Sequence, residues 1–219
     1  MKHLPNLITL SRVPILFLIG AMLALAVPAH VRNALEAPAS PADAGMAWAA
    51  TAAFVLFVIA AISDWLDGWV ARRYNVVSNF GKLMDALTDK ILNTGMFIVL
   101  QAFGAFPRWF TFLVLLILMR ELLITGLRLV AAGKAIILAA ERSGKVKTVL
   151  QIVSISILLG VLASRRDAWG LPSAVENLFE QAGFVCFYVA TLLTLTSGAG
   201  YLVKYWDVFM GDAEGGDNA

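Results

Sequence analysis

Six apolar runs separated by short polar links set the plan of this chain. By hydropathy they cover about 9–28, 46–71, 83–106, 109–132, 147–164 and 182–204. Each is close to the ~20 residues a helix needs to cross a bilayer core. The first dozen residues mix Lys2, His3, Pro5, Asn6, Thr9, Ser11 and Arg12 with apolar positions. They read as a juxtamembrane amphipathic lead-in lying at the interface, because a cleaved signal would order its charged, apolar and cleavage regions differently. The link 29–45 is rich in Ala and Pro and is expected to be poorly ordered. Phe106-Pro107-Arg108-Trp109 reads as a tight turn, 173–181 as a short interfacial helix, and 211–219 as a disordered polar tail. No repeat is visible. The expected fold is all-α integral membrane: a single domain over 1–219, a six-transmembrane-helix bundle with an N-terminal amphipathic segment.

Composition sharpens this picture. Hydrophobic residues make up 60% of the 219 and charged residues only 15%, where a soluble domain is about a quarter charged; mean hydropathy is +0.80. No separate soluble domain fits in what the runs leave over. A net charge of +2 gives a nucleic-acid partner no support. The distribution of basic residues says more. Lys2, Arg12, Arg72, Arg73, Lys82, Lys134, Arg142, Lys145, Lys147 and Lys204 gather on one side of the runs, and Arg32, Arg108, Arg165 and Arg166 on the other. That asymmetry puts both termini in the cytoplasm. Tyr201, Tyr205 and Trp206 beside Lys204 read as an interfacial belt closing the last run. Cys186, the one cysteine, offers neither a disulfide nor a thiolate metal site.

Against this background four aspartates stand out. The chain reads Asp64-Trp65-Leu66-Asp67-Gly68-Trp69-Val70-Ala71-Arg72, then eight residues, then Gly81-Lys82-Leu83-Met84-Asp85-Ala86-Leu87-Thr88-Asp89. Uncharged stretches, 48–63 and 91–106, flank the cluster. One ionised carboxylate at a bilayer centre costs ~3 kcal/mol on insertion scales, so four require cationic compensation. At helical spacing Asp64 and Asp67 share a face, as do Asp85 and Asp89. The intervening turn is short enough to return the helices antiparallel, and Gly68, Ala71 and Gly81 allow close approach. Hard oxygen donors in this number suit Mg²⁺ or Mn²⁺ together with substrate phosphates, and two divalent ions would offset four carboxylates. Two other readings stay open at this point: an ion-pair cluster with Arg72, Arg73, Lys82 and Lys90, or a proton or ion pathway of the transporter kind.

The complete string D-x-x-D-G-x-x-A-R, eight residues, G-x-x-x-D-x-x-x-D resembles the signature of the CDP-alcohol phosphatidyltransferases, six-helix membrane enzymes of phospholipid synthesis. The resemblance implies two bound metals, with Asp64, Asp67 and Asp85 as ligands and Asp89 as both ligand and base on the incoming alcohol. It also implies that Gly68, Ala71, Arg72, Ser78 and Thr9 face the CDP-diacylglycerol. Asn6-Leu7-Ile8-Thr9-Leu10-Ser11-Arg12, the stretch from Arg120-Glu121 to Arg128, and Gly144-Lys145-Val146-Lys147-Thr148 resemble the bacterial phosphatidylglycerophosphate synthases in particular. That subgroup joins CDP-diacylglycerol to glycerol 3-phosphate, and the likeness implies a homodimer in the bacterial cytoplasmic (inner) membrane. Inositol phosphate, serine and phosphatidylglycerol are the alternative acceptors.

Independently of the resemblance, Glu121, Thr125 and Arg128 fall on one helical face, and Arg120 lies deep in the fourth run. Arg120, Arg128, Lys145 and Lys147 could converge to bind an acceptor phosphate. The competing readings are a structural Arg120–Glu121 pair, and headgroup contact for Lys145 and Lys147.

Overall fold

The computed structural model describes residues 4–26, 48–74, 79–103, 106, 107, 109–133, 142–167 and 169–206. Side chains are described for 13–24, 48–63, 87, 88, 90–103, 106, 107, 109–129, 131, 145–165 and 169–206. Among the described residues there are six α-helices: α1 (Leu4–Ala26), α2 (Ala49–Tyr74), α3 (Asn79–Ala102), α4 (Phe110–Gly133), α5 (Arg142–Asp167) and α6 (Ser173–Lys204). Hydropathy registers only the apolar part of each helix, so α2, α3 and α5 reach further into the polar flanks than the runs do.

The lead-in is continuous with the first apolar run, α1 running unbroken from Leu4 through Pro14 to Ala26; bilayer helices tolerate an internal proline where neighbours satisfy the backbone. One expectation is corrected outright: 173–181 is not a helix of its own. α6 starts after Pro172, whose φ of −58° and ψ of 138° end the preceding link, and continues to Lys204. No proline interrupts it, and Gly183 serves packing: a Cβ there would lie 2.8 Å from Leu158 Cγ. The Ser154 hydroxyl donates to Gly183 O at 2.9 Å across the same seam.

α4, α5 and α6 each contain a stretch long and apolar enough to cross a membrane: Phe110–Leu129, Lys145–Arg165 and Ser173–Lys204. α1 and α2 add shorter apolar stretches, Val13–Ala24 and Ala49–Ser63. Outward-facing Phe112, Met119, Leu122, Val185 and Leu192 are exposed, the lipid-facing pattern of a protein whose surroundings are apolar rather than aqueous.

The helices close into a ring. α1 packs on α2 and α3, α2 on α5, α5 on α6, α6 on α4 and α4 on α3, while α3 also reaches across to α5. Side-chain pairs give the registers. Phe110 meets Phe187 at 5.0 Å between ring centroids, and Arg120 meets Ser197 77 positions along, the same offset, so α4 and α6 run parallel. Arg165 pairs with Glu180 near one end of the α5–α6 seam and Ser154 with Gly183 further in, so that pair runs antiparallel.

The two ends of the bundle differ. At the Phe106–Pro107 turn, Phe97, Phe106, Phe110, Phe184 and Phe187 form an aromatic core with centroid distances of 4.9–6.1 Å. The turn itself is held by Phe110 N–H to Pro107 O at 3.0 Å. Buried polar groups gather instead in the other half: Thr88 on α3, Glu121 and Thr125 on α4, Lys147 and Gln151 on α5, and Thr194 and Ser197 on α6.

Candidate active site

The aspartate grid occupies the end of α2 and the start of α3. Asp64 lies ten residues before Tyr74, the last of α2, and Asp89 ten after Asn79, the first of α3. Asp67 and Asp85 are seven and six residues from the same ends. At 1.5 Å rise per residue, the outer pair sits about 15 Å from the helix ends and the inner pair about 10 Å. Counted along the chain, the two pairs are thus set nearly symmetrically about the link between α2 and α3, and both helices border α1 and α5. The side chains of Asp64, Asp67, Asp85, Asp89, Ala71, Arg72, Thr9 and Arg12 lie outside the described ones; Gly68 and Gly81 are described only as helix backbone, and Ser78 lies outside the described residues altogether. The donor set is nonetheless four hard carboxylates on two helical faces, which fits divalent ions that prefer oxygen.

The basic candidates divide. Arg120 and Lys147 come together on one carboxylate oxygen: Glu121 Oε1 accepts from Arg120 Nη1 at 3.2 Å and from Lys147 Nζ. Lys147 is 5% exposed and Glu121 8%. A lone ammonium at that depth would be costly, and the shared carboxylate compensates it. The Arg120–Glu121 pair therefore exists, with Lys147 of α5 on the same carboxylate oxygen. Thr125 Oγ1 donates back to Glu121 O at 2.7 Å, which leaves the carboxylate free for the cations. One turn beyond Lys147, Gln151 is buried, and its Nε2 has no hydrogen-bond partner among the described residues.

Arg128 and Lys145 stand apart from that pair. The Arg128 guanidinium lies over the Tyr201 ring, 5.3 Å from its centroid, a cation–π contact. Lys145 is exposed on the first turns of α5. Tyr201 does not join an interfacial belt: it is 2% exposed beneath Arg128, while Trp206 is exposed. Two residues missed in the sequence, Ser197 and Gly198, border Arg120 from α6. Their one signal was the run Ser197-Gly198-Ala199-Gly200, small residues late in an apolar helix.

A cavity of about 320 Å³ lies at the far end, lined among others by Phe54, Gly160, Trp169 and Phe179. Its walls are apolar, and at its rim Ser164 donates to Glu176 and Trp169 Nε1 to Thr51 Oγ1 at 2.8 Å. It carries no chemistry of the kind the aspartate end offers.

Comparison with known proteins decides what the grid belongs to. The family model described as CDP-alcohol phosphatidyltransferase matches residues 2–196. The chain belongs to that family. A CDP-diacylglycerol–glycerol-3-phosphate 3-phosphatidyltransferase of Bacillus subtilis (strain 168) is 36% identical over 212 residues, covering 94% of this chain and 97% of the relative. A protein of the same name from Escherichia coli (strain K12) is 35% identical over 158 residues, 71% of this chain and 79% of its own length. One from Mycoplasma pneumoniae is 41% identical over 144 residues, 65% and 61%. Membership in this family makes the chain a phosphatidyltransferase rather than an ion pathway. Two regions are the candidates for its site: the aspartates near the end of α2 and the start of α3, and the cation pair on Glu121 between α4 and α5.

Proposed function

We propose that this protein transfers a phosphatidyl group from CDP-diacylglycerol to sn-glycerol 3-phosphate, giving phosphatidylglycerophosphate and CMP. The names of the relatives support the two substrates, and the cation pair on Glu121 is the observation that favours an acceptor bearing phosphate. Asp64, Asp67, Asp85 and Asp89 hold two divalent cations, Mg²⁺ or Mn²⁺. When bound, those ions supply Lewis-acid stabilisation of the charge that develops on the diphosphate. Asp89 takes the proton from the acceptor hydroxyl, whose oxygen then attacks the β-phosphorus; the bond from that phosphorus to the CMP oxygen breaks, and CMP leaves. Arg120 and Lys147 bind the acceptor's own phosphate and so orient the hydroxyl. Arg128 and Lys145 add long-range attraction from the rim. Gly68, Ala71, Arg72, Ser78 and Thr9 border the nucleotide. The six helices all span the bacterial cytoplasmic membrane, both termini face the cytoplasm, and the protein works as a homodimer.

The test is CMP release by purified protein across a panel of acceptors. Release with glycerol 3-phosphate, abolished by EDTA and restored by Mg²⁺ or Mn²⁺, is the expected result. Faster release with inositol phosphate, serine or phosphatidylglycerol would reassign the acceptor, and full activity in EDTA would remove the metals from the scheme.

A further inference from the structure

The last part of α6 brings two residues to Arg120 that belong to neither the aspartates nor the cations, and they lie just past residue 196, where the family model's match ends. Ser197 is buried. Its hydroxyl donates to Thr194 O at 3.2 Å and accepts from Arg120 Nη2 at 2.8 Å. A serine hydroxyl has one proton, so the bond to the backbone commits that proton and leaves a lone pair for the guanidinium. Beside it, a Cβ on Gly198 would sit 2.8 Å from both Cγ and Nε of Arg120. No real Cβ tolerates that distance, so any side chain at 198 would displace the arginine stem. The guanidinium is a rigid planar fork. With its stem laid over Gly198 and Nη2 tied to Ser197, the direction of Nη1 is set, and Nη1 meets the carboxylate oxygen that Lys147 also uses.

We infer that Ser197 and Gly198 are positioning residues for the acceptor site: they aim Arg120 so that its guanidinium and the Lys147 ammonium present a preassembled cation pair to a phosphate monoester. The inference rests on the reading of Arg120 and Lys147 as acceptor-phosphate ligands. Neither Ser197 nor Gly198 touches substrate; both act through Arg120. The benefit is preorganisation, because an arginine already held in its working rotamer loses less freedom when the acceptor arrives. The neighbouring Thr196 marks the contrast. Its hydroxyl is bonded to Leu192 O at 2.9 Å and is exposed, and it represents the ordinary use of a hydroxyl on a membrane helix.

The experiment measures KM for both substrates by CMP release with the full-length purified enzyme in mixed phospholipid–detergent micelles. Ser197→Ala should raise KM for glycerol 3-phosphate about tenfold, the loss of one hydrogen bond to a charged group. KM for CDP-diacylglycerol and the melting temperature should hold. Gly198→Ala should reproduce the effect by moving the stem, and Thr196→Ala should match the wild type. In an Arg120→Gln background, itself raised in KM for glycerol 3-phosphate, Ser197→Ala should add nothing. A normal KM in Ser197→Ala beside a raised one in Arg120→Gln would overturn the positioning role and leave the acceptor reading standing. An unchanged KM in Arg120→Gln would instead sink the acceptor reading, and this inference with it. Additive effects in the double variant, or equal shifts for both substrates, would mark Ser197 as a packing residue and also overturn the proposal.

Discussion

Asp89 stands ten residues into α3, as Asp64 stands ten residues before the end of α2. As the base it must accept a proton, which an amide cannot do. Asp89→Asn should therefore nearly abolish CMP release while CDP-diacylglycerol still binds; turnover near the wild-type rate would remove Asp89 from that role. Lys147 carries a different expectation. Lys147→Gln removes one charge-assisted hydrogen bond, worth ~1.5–3 kcal/mol, which predicts a roughly ten- to hundredfold rise in KM for glycerol 3-phosphate. KM for CDP-diacylglycerol should change much less. Equal rises in both would show that Lys147 serves the fold and that its bond to Glu121 is structural. At this scale the aspartates stand out in the sequence because their spacing is periodic and their setting apolar. Ser197 was not, since a serine within a membrane helix normally bonds its own backbone, and only the packing of α4 against α6 reveals its second partner.

Helices extend past the apolar runs that announce them, because polar end turns find partners that hydropathy does not see. The start of α6 shows it: Glu176 and Glu180 look like an interfacial helix in sequence, yet they face Arg165 of α5, with Glu180 Oε2 2.9 Å from Nη2. A salt-bridged extension and a separate interfacial helix have the same composition, and only the antiparallel seam tells them apart. That the chain is all helical with long apolar stretches was legible from period and length alone. The order of helices round the ring was not, since it depends on where small residues let backbones meet. Gly183 is such a place, with Leu158 and Ile157 against it. Gly183→Val should overpack the seam by about 1–3 kcal/mol, lowering the melting temperature in detergent while leaving both KM values in place. An unaltered melting temperature would show that α5 and α6 have slack there.

Taken whole, the ring has a polar interior where α2 ends and α3, α5 begin, and an aromatic interior where α3 and α4 are joined. The aspartate end is also the one from which substrates of both kinds, a nucleotide-bearing lipid and a small phosphate ester, have to enter. Interlocked phenylalanines come apart only with the loss of many contacts at once, whereas groups bonded to polar partners can exchange them for water one by one. Local opening free energies should therefore grade along the bundle. The phenylalanine end should then stay fixed while the polar end spreads. Hydrogen exchange followed by mass spectrometry should find backbone amides around 96–100 and 184–190 protected longest, and those around 145–150 and 195–203 exchanging sooner. Adding both substrates should slow the second group and barely change the first. Equal protection along the whole length would mean that the bundle admits its substrates without spreading, through gaps already wide enough to pass them.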